Sequence, residues 1–427
     1  MGADPSSDPA SSSDQEFLSA EEDDEEDDEK LTQAAASSED AVPIEQDLFP
    51  WSASSVILTP PLSIDKNPST TDQKQKSILF RVLDLLKAVR PGSDLTKFRV
   101  PPQFNLPKSQ LQLYGESIYC CGHGLDLLAM CTQGATPLER FVAVVRWHIS
   151  TSRPAPFGKA PYNPILGETH HVSFGKFNLI AEQVSHHPPV TAIHVTDEMK
   201  KLRMTWWHEP APHFYGNGIE VTIRGRRILS LLEFGEDYEL TSPKLNIRFF
   251  PMPGTDWDGN TSVSCQQTGL KATISFKGKG LLGLRGGQRK ISGKIWDSSG
   301  KTLYELRGSW DNVVNLIDRE LEKTNELYDG RAALTEMEIP VIQNTQDISP
   351  LESVYIWSSL TKSILEMDWE KARTTKAKIE ECQRVLRRQR EKSGRTWSPN
   401  YFRQNSNGDW EWLHSGKLVN LAPIVVP

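Results

Sequence analysis

Two adjacent histidines precede two adjacent prolines in the stretch EQVSHHPPV, residues 182–190. Neighbouring side chains of a regular strand point to opposite faces, so His186 and His187 would not normally reach one ligand. Pro188 and Pro189 cannot donate to a strand ladder, and they therefore end or bend the strand. At such a bend both imidazoles can converge on one anion, and a nearby dianionic group favours the charged imidazolium. The stretch therefore predicts a phosphate site.

A second pair, His170 and His171 in GETHHVSFG, suggests an alternative in which four histidines bind a metal. The spacing does not match HExxH, and vicinal histidines on a regular strand are poor chelators. The five cysteines contain no CxxC pair, which argues against a structural zinc site and a disulfide framework and indicates a reducing compartment. We therefore expect no metal site.

The sequence KAKIEECQR near the C-terminus carries a third set of charged residues. Lys376, Glu380 and Arg384 are spaced at i, i+4 and i+8, so on a helix they fall within an arc of about 80°. One interpretation is a solvent-exposed ladder of ion pairs. If that face turns toward an anion, Lys376 and Arg384 would bind a phosphate and Glu380 would orient them.

The elements that position these residues follow from hydrophobic periodicity. Helical spacing in SILFRVLDLLKAVRPG places Ile78, Leu79, Val82, Leu83 and Leu86 on one face, and Pro91-Gly92 ends the run. This helix either packs on a core or forms a movable lid that touches a membrane. A second helix is predicted around TPLERFVAVVRWHIS.

From about residue 178 to 310 the period changes to two, with Gly, Pro, Asn or Asp clusters between the runs. Many short strands without intervening helices indicate an antiparallel sheet that closes or nearly closes into a barrel. The region from about residue 351 to 392 is predicted to be helical and to stop at Ser393-Gly394.

Charge is distributed unevenly along the 427 residues. Residues 1–73 carry 19 Asp and Glu against two Lys, a net charge of −17, whereas residues 74–427 have a net charge of +9. The first segment is predicted to be a disordered acidic tail, and the folded unit to span 74–427. The basic body favours anionic partners such as lipid headgroups and membrane surfaces. No window is apolar and long enough for a membrane span, so any membrane contact is expected to be peripheral.

EQVSHHPPV resembles the signature of the oxysterol-binding-protein-related family, and YNPILGET, residues 162–169, resembles its companion motif. The resemblance extends over roughly residues 75–405 and is closest to short plant-type members without a pleckstrin-homology domain. It implies a near-closed antiparallel β-barrel around a lipid tunnel, with a lid at about 74–100, the barrel at about 101–312 and a helical part at about 313–427. It also implies that the headgroup of phosphatidylinositol 4-phosphate binds at positions that match His186, His187, Lys376, Glu380, Arg384 and Asn163.

One position departs from the family pattern. A lysine that contacts phosphate usually precedes the proline of P-x-N-P, but Ala160 stands there and Lys159 lies one residue earlier. A slip of one residue on an extended segment turns a side chain to the other face, so Lys159 is a doubtful headgroup contact.

The acidic tail contains EFLSAEE, residues 16–22, which resembles a short motif that binds a receptor domain on the endoplasmic reticulum. Phe17 and Ala20 match its apolar anchors, while Leu18 replaces a phenylalanine and Ser19 stands where an acid is usual. Phosphorylation of Ser19 would restore the charge. The alternative is a tail that only solubilises the protein.

The resemblance implies a lipid-transfer protein with no enzymatic activity, no catalytic residues and no cofactor. We expect a cytoplasmic monomer that acts peripherally at membranes and binds no nucleic acid, and the motif at residues 16–22 would place it at endoplasmic reticulum contact sites. It would carry phosphatidylinositol 4-phosphate and a second lipid, a sterol or a phospholipid, alternately in one tunnel. The alternatives are a lipid-sensing regulatory module without net transfer, and an enzyme.

Overall fold

The computed structural model describes residues 56–63, 71–119, 126–197, 199, 201–250, 253–278, 289–335, 338–343, 348–414 and 422–427. The tail segment 16–22, with Phe17, Ser19 and Ala20, lies outside the described residues. The helices are α1 Thr71–Leu85, α2 Gln110–Tyr119, α3 Leu127–Met130, α4 Pro137–Ser150, α5 Gly330–Thr335, α6 Ser353–Ile356, α7 Ser358–Leu365 and α8 Trp369–Ser393, with a 3-10 turn at Pro102–Phe104.

The strands belong to three sheets. They are β1 Asn105–Ser109, β2 Ala160–Tyr162, β3 Thr169–Phe174, β4 Phe177–Ser185, β5 Val190–Asp197, β6 Leu202–Phe214, β7 Gly218–Leu231, β8 Glu236–Leu240, β9 Lys244–Arg248, β10 Gly254–Cys265, β11 Lys271–Lys277, β12 Lys290–Trp296, β13 Thr302–Ser309, β14 Val313–Asp318, β15 Thr324–Asp329, β16 Val341–Ile342, β17 Phe402–Gln404, β18 Trp410–Trp412 and β19 Ile424–Val426.

The large sheet has the strand order β15-β14-β13-β12-β11-β10-β8-β7-β6-β5-β4-β3-β19-β16, and β9 pairs with both β7 and β10. Consecutive strands pair antiparallel, whereas β19 joins β3 in parallel. Strands β15 and β16 form the two edges, and no pairing joins them among the described residues. The predicted mostly β fold with helices is therefore confirmed, and the barrel is near-closed rather than strictly closed.

The main core lies between the sheet and helices α2 and α4. Leu111, Phe141, Trp147 and Leu229 belong to it and are fully buried. Helix α4 begins at the side chain of Thr136, which accepts from the backbone N–H of Glu139 in a capping box. A separate apolar cluster joins Tyr162 to α6, α7 and α8 and thereby fixes the helical C-terminal part on the sheet.

The predicted helices are present, but some of their predicted boundaries differ from those in the structure. Helix α1 ends at Leu85, and turns rather than regular helix continue to Pro91. The C-terminal region is divided into three helices, with Met367 at a positive φ of 57° between the last two. Helix α8 stops at Gly394, which has a φ of 62° as the sequence predicts. No helix within the described ranges is both long and apolar enough to cross a membrane.

Part of the expected acidic tail is packed against the domain. Within residues 56–63, the backbone N–H of Leu62 donates to Glu116, and the carbonyl of Pro60 accepts from the Lys108 ammonium at 2.8 Å. Val56 packs against the main core. The structure thus differs here from the predicted boundary at residue 73, because contacts with distant residues hold a segment that has no periodic pattern of its own.

Candidate functional site

A cavity of about 460 Å³ lies under α1 and within the curve of the sheet. Its size is in the range of ligand-binding pockets, about 300–1,000 Å³. Apolar side chains from α1 and the turn after it, from the segment 95–106 and from strands β6, β7 and β9 form much of its wall. They include Leu86, Leu95, Phe104, Ile223 and Leu245. The cavity can therefore take an apolar ligand body.

The predicted lid residues share one face of the chain above this cavity. Leu79, Val82 and Leu86 are buried in a cluster with Phe157, Phe214 and Phe249, and Ile78 and Leu83 pack at its margin. Leu86 follows the last residue of α1 and continues the same face. Val82 and Leu86 also line the cavity. Helix α1 thus covers the cavity with an apolar face.

Gly158 allows α1 to approach the wall of the cavity. A Cβ at this position would lie 2.2 Å from Cγ2 of Ile78, and the φ of 69° is in the left-handed region. Both the backbone conformation and the contact therefore require glycine.

The two histidines lie in a four-residue turn. Strand β4 ends at Ser185, which pairs with Val190 at the start of β5, so residues 186–189 form the connection. The predicted end of the strand at the prolines is confirmed. The His186 and His187 rings are 4.5 Å apart between centroids, and the His187-Pro188 peptide bond is cis. The turn places the imidazoles side by side instead of on opposite faces.

Burial determines the charge of this pair. It lowers the pKa of His186 to about 4, with His187 as the next cause, and it also lowers the pKa of His187, where the charges of Lys97 and Arg387 contribute. Nδ1 of His186 is 3.0 Å from the carbonyl oxygen of Pro164 and donates to it when it carries the proton. Both rings are therefore neutral at pH 7 in the absence of an anion.

Helix α8 contributes charged groups to the same region. Lys376 is 7% exposed, and its ammonium lies 2.6 Å from the Glu380 carboxylate, as expected for the i, i+4 pair. The charge of Glu380 raises the pKa of His186, and that of Arg387 lowers it. The guanidinium of Arg384 instead pairs with Glu381 at 2.7 Å. Sequence reasoning missed Arg387, although its spacing of seven residues from Glu380 places it on the same face.

The YNP segment reaches the site from the other side. Tyr162 is fully buried and forms a hydrogen bond with Thr361. Its ring stacks on that of Trp357, with 4.7 Å between the ring centroids. Because Tyr162 is anchored, the next residue, Asn163, is exposed at the edge of the cavity, and the carbonyl of Pro164 faces His186. The two motifs are therefore in direct contact.

Lys159 lies on the cavity wall beneath α1. Its ammonium donates to the carbonyl oxygen of Gln103 at 2.6 Å. Burial lowers its pKa, and the charge of Arg81 on α1 lowers it further. The Lys159 ammonium is therefore hydrogen-bonded to the segment 95–106.

Two buried glutamates hold the site together, and sequence analysis assigned no role to either. Glu182 accepts from the backbone N–H groups of Asn400 and Tyr401 at 2.7 and 2.9 Å, and burial raises its pKa to about 7. Glu168 accepts from Ser353 and Trp357 at 2.7 and 2.9 Å, with its pKa also raised to about 7 by burial. The EQVSHHPPV motif therefore contacts the C-terminal part through Glu182, which precedes His186. The YNPILGET motif contacts it through Glu168, which follows Asn163.

The histidines of the second pair have separate partners. Nδ1 of His170 is 2.8 Å from Glu352, and Nε2 of His171 is 3.0 Å from Asn178. Both belong to strand β3, away from the 186–189 turn. Within the described ranges, no group of three or more His, Cys, Asp or Glu side chains is arranged to hold a metal ion.

Comparison with known proteins identifies the class of fold and site. The family model for oxysterol-binding protein matches residues 84–364. The chain is 40% identical over 375 residues to oxysterol-binding protein-related protein 4B of Arabidopsis thaliana, covering 87% of this chain and 97% of that one. It is 31% identical over 357 residues to human oxysterol-binding protein-related protein 8, covering 80% of this chain and 39% of that one. The protein therefore belongs to the oxysterol-binding protein family.

Solved structures show the same fold. The Osh1 ORD domain in complex with cholesterol has a TM-score of 0.67 at 20% identity, covering 84% of this chain and 90% of that one. The Osh3 ORD in complex with PI(4)P from Saccharomyces cerevisiae has a TM-score of 0.60 at 22% identity, covering 84% and 94%. The match to protein 4B of Arabidopsis thaliana covers 97% of the length of that protein. The chain therefore resembles the short plant members of the family.

Proposed function

We propose that the protein binds phosphatidylinositol 4-phosphate and, alternately, a second lipid in one cavity, and that it exchanges them between membranes. The observation that carries this proposal is the contact between an apolar cavity and the histidine turn. Pro164 lines the cavity and accepts from His186, and Pro189 of the turn also lines it. Two related structures, one with cholesterol and one with PI(4)P, support a sterol and a phosphoinositide as ligands.

The headgroup would bind at the edge of the cavity. In this proposal His186 and His187 donate to the phosphate, and Lys376 supplies a charge that Glu380 orients. Asn163 contacts the headgroup through its amide. Arg384 must exchange Glu381 for the phosphate, whereas Arg387 already lies close enough to affect both imidazoles. Charge-assisted hydrogen bonds of this kind are about twice as strong as neutral ones.

Lys159 is the least suited of the candidate contacts. It would have to leave the carbonyl of Gln103 to reach a phosphate. We therefore assign Lys159 to holding the loop beneath α1 and propose that Ala160 removes one headgroup contact.

The cavity would lower the barrier to moving a lipid through water. Exposing an acyl chain costs about 0.8 kcal/mol for each CH₂ group, so spontaneous desorption is slow. A preformed apolar cavity under α1 keeps the chain covered during transfer. Lys97 and Arg387 at its edge would attract an anionic membrane surface, where α1 opens and releases the cargo.

The decisive experiment is extraction of phosphatidylinositol 4-phosphate from liposomes. We expect the protein to remove this lipid and a His186→Ala/His187→Ala variant to lose most of the activity, since both donors beside the cavity are gone. His171→Ala is the matched control, because it removes a histidine of the other pair and should leave extraction unchanged. Failure of the unmodified protein to extract the lipid would reject the headgroup assignment.

A transfer assay separates exchange from lipid sensing. A carrier should move phosphatidylinositol 4-phosphate from donor to acceptor vesicles over many cycles, faster when the acceptor contains the second lipid. A sensor should extract the lipid once and retain it, so that transfer stops at one molecule for each protein.

We also propose that the tail brings the protein to endoplasmic reticulum contact sites through residues 16–22. Phe17 and Ala20 would fill two apolar pockets of a receptor domain, and phosphorylation of Ser19 would supply an acid. Peptides with and without phosphate on Ser19 test this in a pull-down with the receptor domain. Retention of neither peptide would exclude the motif.

A further inference from the structure

The segment 56–63 forms a second part of the cavity wall, ahead of helix α1 in the chain but packed on a different part of the domain. Leu62 lines the cavity together with residues of α1. Val56 and Leu58 pack against the main core, whereas the apolar face of α1 belongs to the cluster that contains Phe157. The cavity therefore has two covers, and detachment of one does not require detachment of the other.

Two backbone groups of this segment are held by one buried ion pair. The ammonium of Lys108 on β1 lies 2.5 Å from the carboxylate of Glu116 on α2, and their side chains are 2% and 6% exposed. The same ammonium donates to the carbonyl oxygen of Pro60 at 2.8 Å, and the carboxylate accepts from the backbone N–H of Leu62 at 3.1 Å. Hydrogen bonds to charged groups are stronger than those between neutral groups, so this ion pair anchors the segment.

The anchor and the segment both face the ligand space. Glu116 and Leu62, which the hydrogen bond joins, line the same cavity. Leu62 is half-buried, so part of its side chain remains to be covered. An apolar ligand beside Leu62 removes that surface from water and thereby stabilises the docked segment. The stability of the docked position therefore depends on what fills the cavity.

We propose that the segment 56–63 is a ligand-sensitive strap, which docks on the Lys108–Glu116 pair while a lipid fills the cavity and detaches before the lipid leaves. This inference rests on the proposed function, because it requires a lipid in the same cavity. Coupling between two binding events is reciprocal, so the docked strap also raises the affinity of the cavity for the lipid. The lipid is then retained by the strap as well as by α1.

Hydrogen exchange of the Leu62 amide tests the proposal, because this amide donates to Glu116 in the docked strap. The full chain is mixed with phosphatidylcholine vesicles that either contain or lack phosphatidylinositol 4-phosphate, and peptides covering 56–63 are followed by mass spectrometry. We expect the amide to exchange about tenfold more slowly when that lipid is bound. Equal exchange in the two mixtures, with the lipid bound in one of them, would overturn the proposal.

Two leucines of the strap offer a matched pair of variants. Leu62→Ala removes the side chain that lines the cavity and keeps both backbone hydrogen bonds, so the ratio of the two exchange rates should fall to near one. Leu58→Ala instead removes a contact with the main core. It should speed exchange in both mixtures by the same factor and keep the ratio. An unchanged ratio in Leu62→Ala would contradict coupling through this side chain and overturn the proposal.

A third variant separates the strap from α1. Gly158→Ala adds a Cβ whose nearest neighbours are Ile78 and Val82 of α1. With phosphatidylinositol 4-phosphate in excess, this variant should keep the ratio of exchange rates at Leu62. Loss of the ratio would mean that the strap only follows α1, which would overturn the proposal.

The release of bound lipid to acceptor vesicles measures the reciprocal effect. Leu58→Ala loosens the strap from the main core, so it should speed release of phosphatidylinositol 4-phosphate by about the factor by which it speeds exchange. Release at the unmodified rate would overturn the proposal, because the strap would then not retain the lipid.

The outcomes distinguish this inference from the proposed function. If the lipid binds and the exchange of the strap does not respond, the inference fails and the proposed function stands. If the protein binds no phosphatidylinositol 4-phosphate in any mixture, the proposed function fails and the inference fails with it.

Discussion

At the scale of single residues, the site is built from groups whose charge depends on what binds. His186 is neutral at pH 7 because burial holds its pKa at about 4, and the neighbouring His187 acts in the same direction. A phosphate dianion beside the ring would favour the imidazolium. In the proposed function the histidines would therefore be neutral rings while an apolar ligand occupies the cavity and cations when a phosphate binds.

This coupling predicts proton uptake on headgroup binding. The pKa of His186 is low in the free protein and higher in the complex, so affinity should rise as pH falls between those two values. The rise should end at about pH 6, below which the phosphate itself protonates. Calorimetry of phosphatidylinositol 4-phosphate binding in buffers of different ionisation enthalpy measures the uptake.

Removing the titrating ring provides the control for that measurement. His186→Asn should show less proton uptake and a flatter pH profile than the unmodified protein. Uptake that is equal in the two proteins would mean that His186 does not gain a proton.

At the scale of elements, α1 and the C-terminal part pack on the sheet beside the cavity.

The elements themselves could be predicted from the sequence, because periodicity indicates α1, α4, α8 and the strands, and two prolines indicate the turn after β4. It could not find Glu182 as the acceptor for Asn400 and Tyr401, since these residues are more than 200 positions apart in the chain. It also missed Arg387, because a charged residue on a helix gives no sign of which element it faces.

Gly158→Ala is expected to displace α1 from the cavity. The new methyl group would lie 2.2 Å from Ile78, and the left-handed backbone adds strain. Cleavage by trypsin at Arg81 should become faster, and the release of bound lipid should accelerate. Gly235→Ala is the control, with a similar φ of 61° and no heavy atom within 4 Å of the added Cβ.

The two glycine variants separate strain from contact. Both should lose about 1 kcal/mol of stability through backbone strain, but only Gly158→Ala should expose α1 to the protease. An Ile78→Ala change added to Gly158→Ala should restore protection. Equal cleavage in all variants would show that the contact with Gly158 does not hold α1 in place.

Glu182→Gln is expected to loosen the C-terminal part. The amide keeps one acceptor oxygen but turns an N–H toward a backbone N–H, so one buried hydrogen bond is lost. Denaturant unfolding should show a decrease of about 1–3 kcal/mol in the free energy of unfolding. Glu411→Gln removes one partner of an exposed ion pair with Arg403 and should change stability by less than about 1 kcal/mol. Similar values for the two variants would contradict the role given to Glu182.

At the scale of the whole molecule, charge is distributed unevenly along the chain. Residues 1–73 have a net charge of −17 and residues 74–427 a net charge of +9. A basic residue near an anionic surface contributes about 1 kcal/mol of attraction, which salt screens. The acidic segment should therefore reduce the affinity of the basic body for anionic vesicles.

Neutralising the nine consecutive acids Glu21–Glu29 to Gln and Asn in the full chain tests this argument. The change keeps the length of the tail and neutralises nine of its 19 acidic residues, so sedimentation with phosphatidylserine vesicles should increase several-fold at low salt. The increase should largely disappear at 1 M salt, where the screening length is about 3 Å. Binding to neutral vesicles should not change, and an equal increase there would mean that the tail acts through something other than its charge.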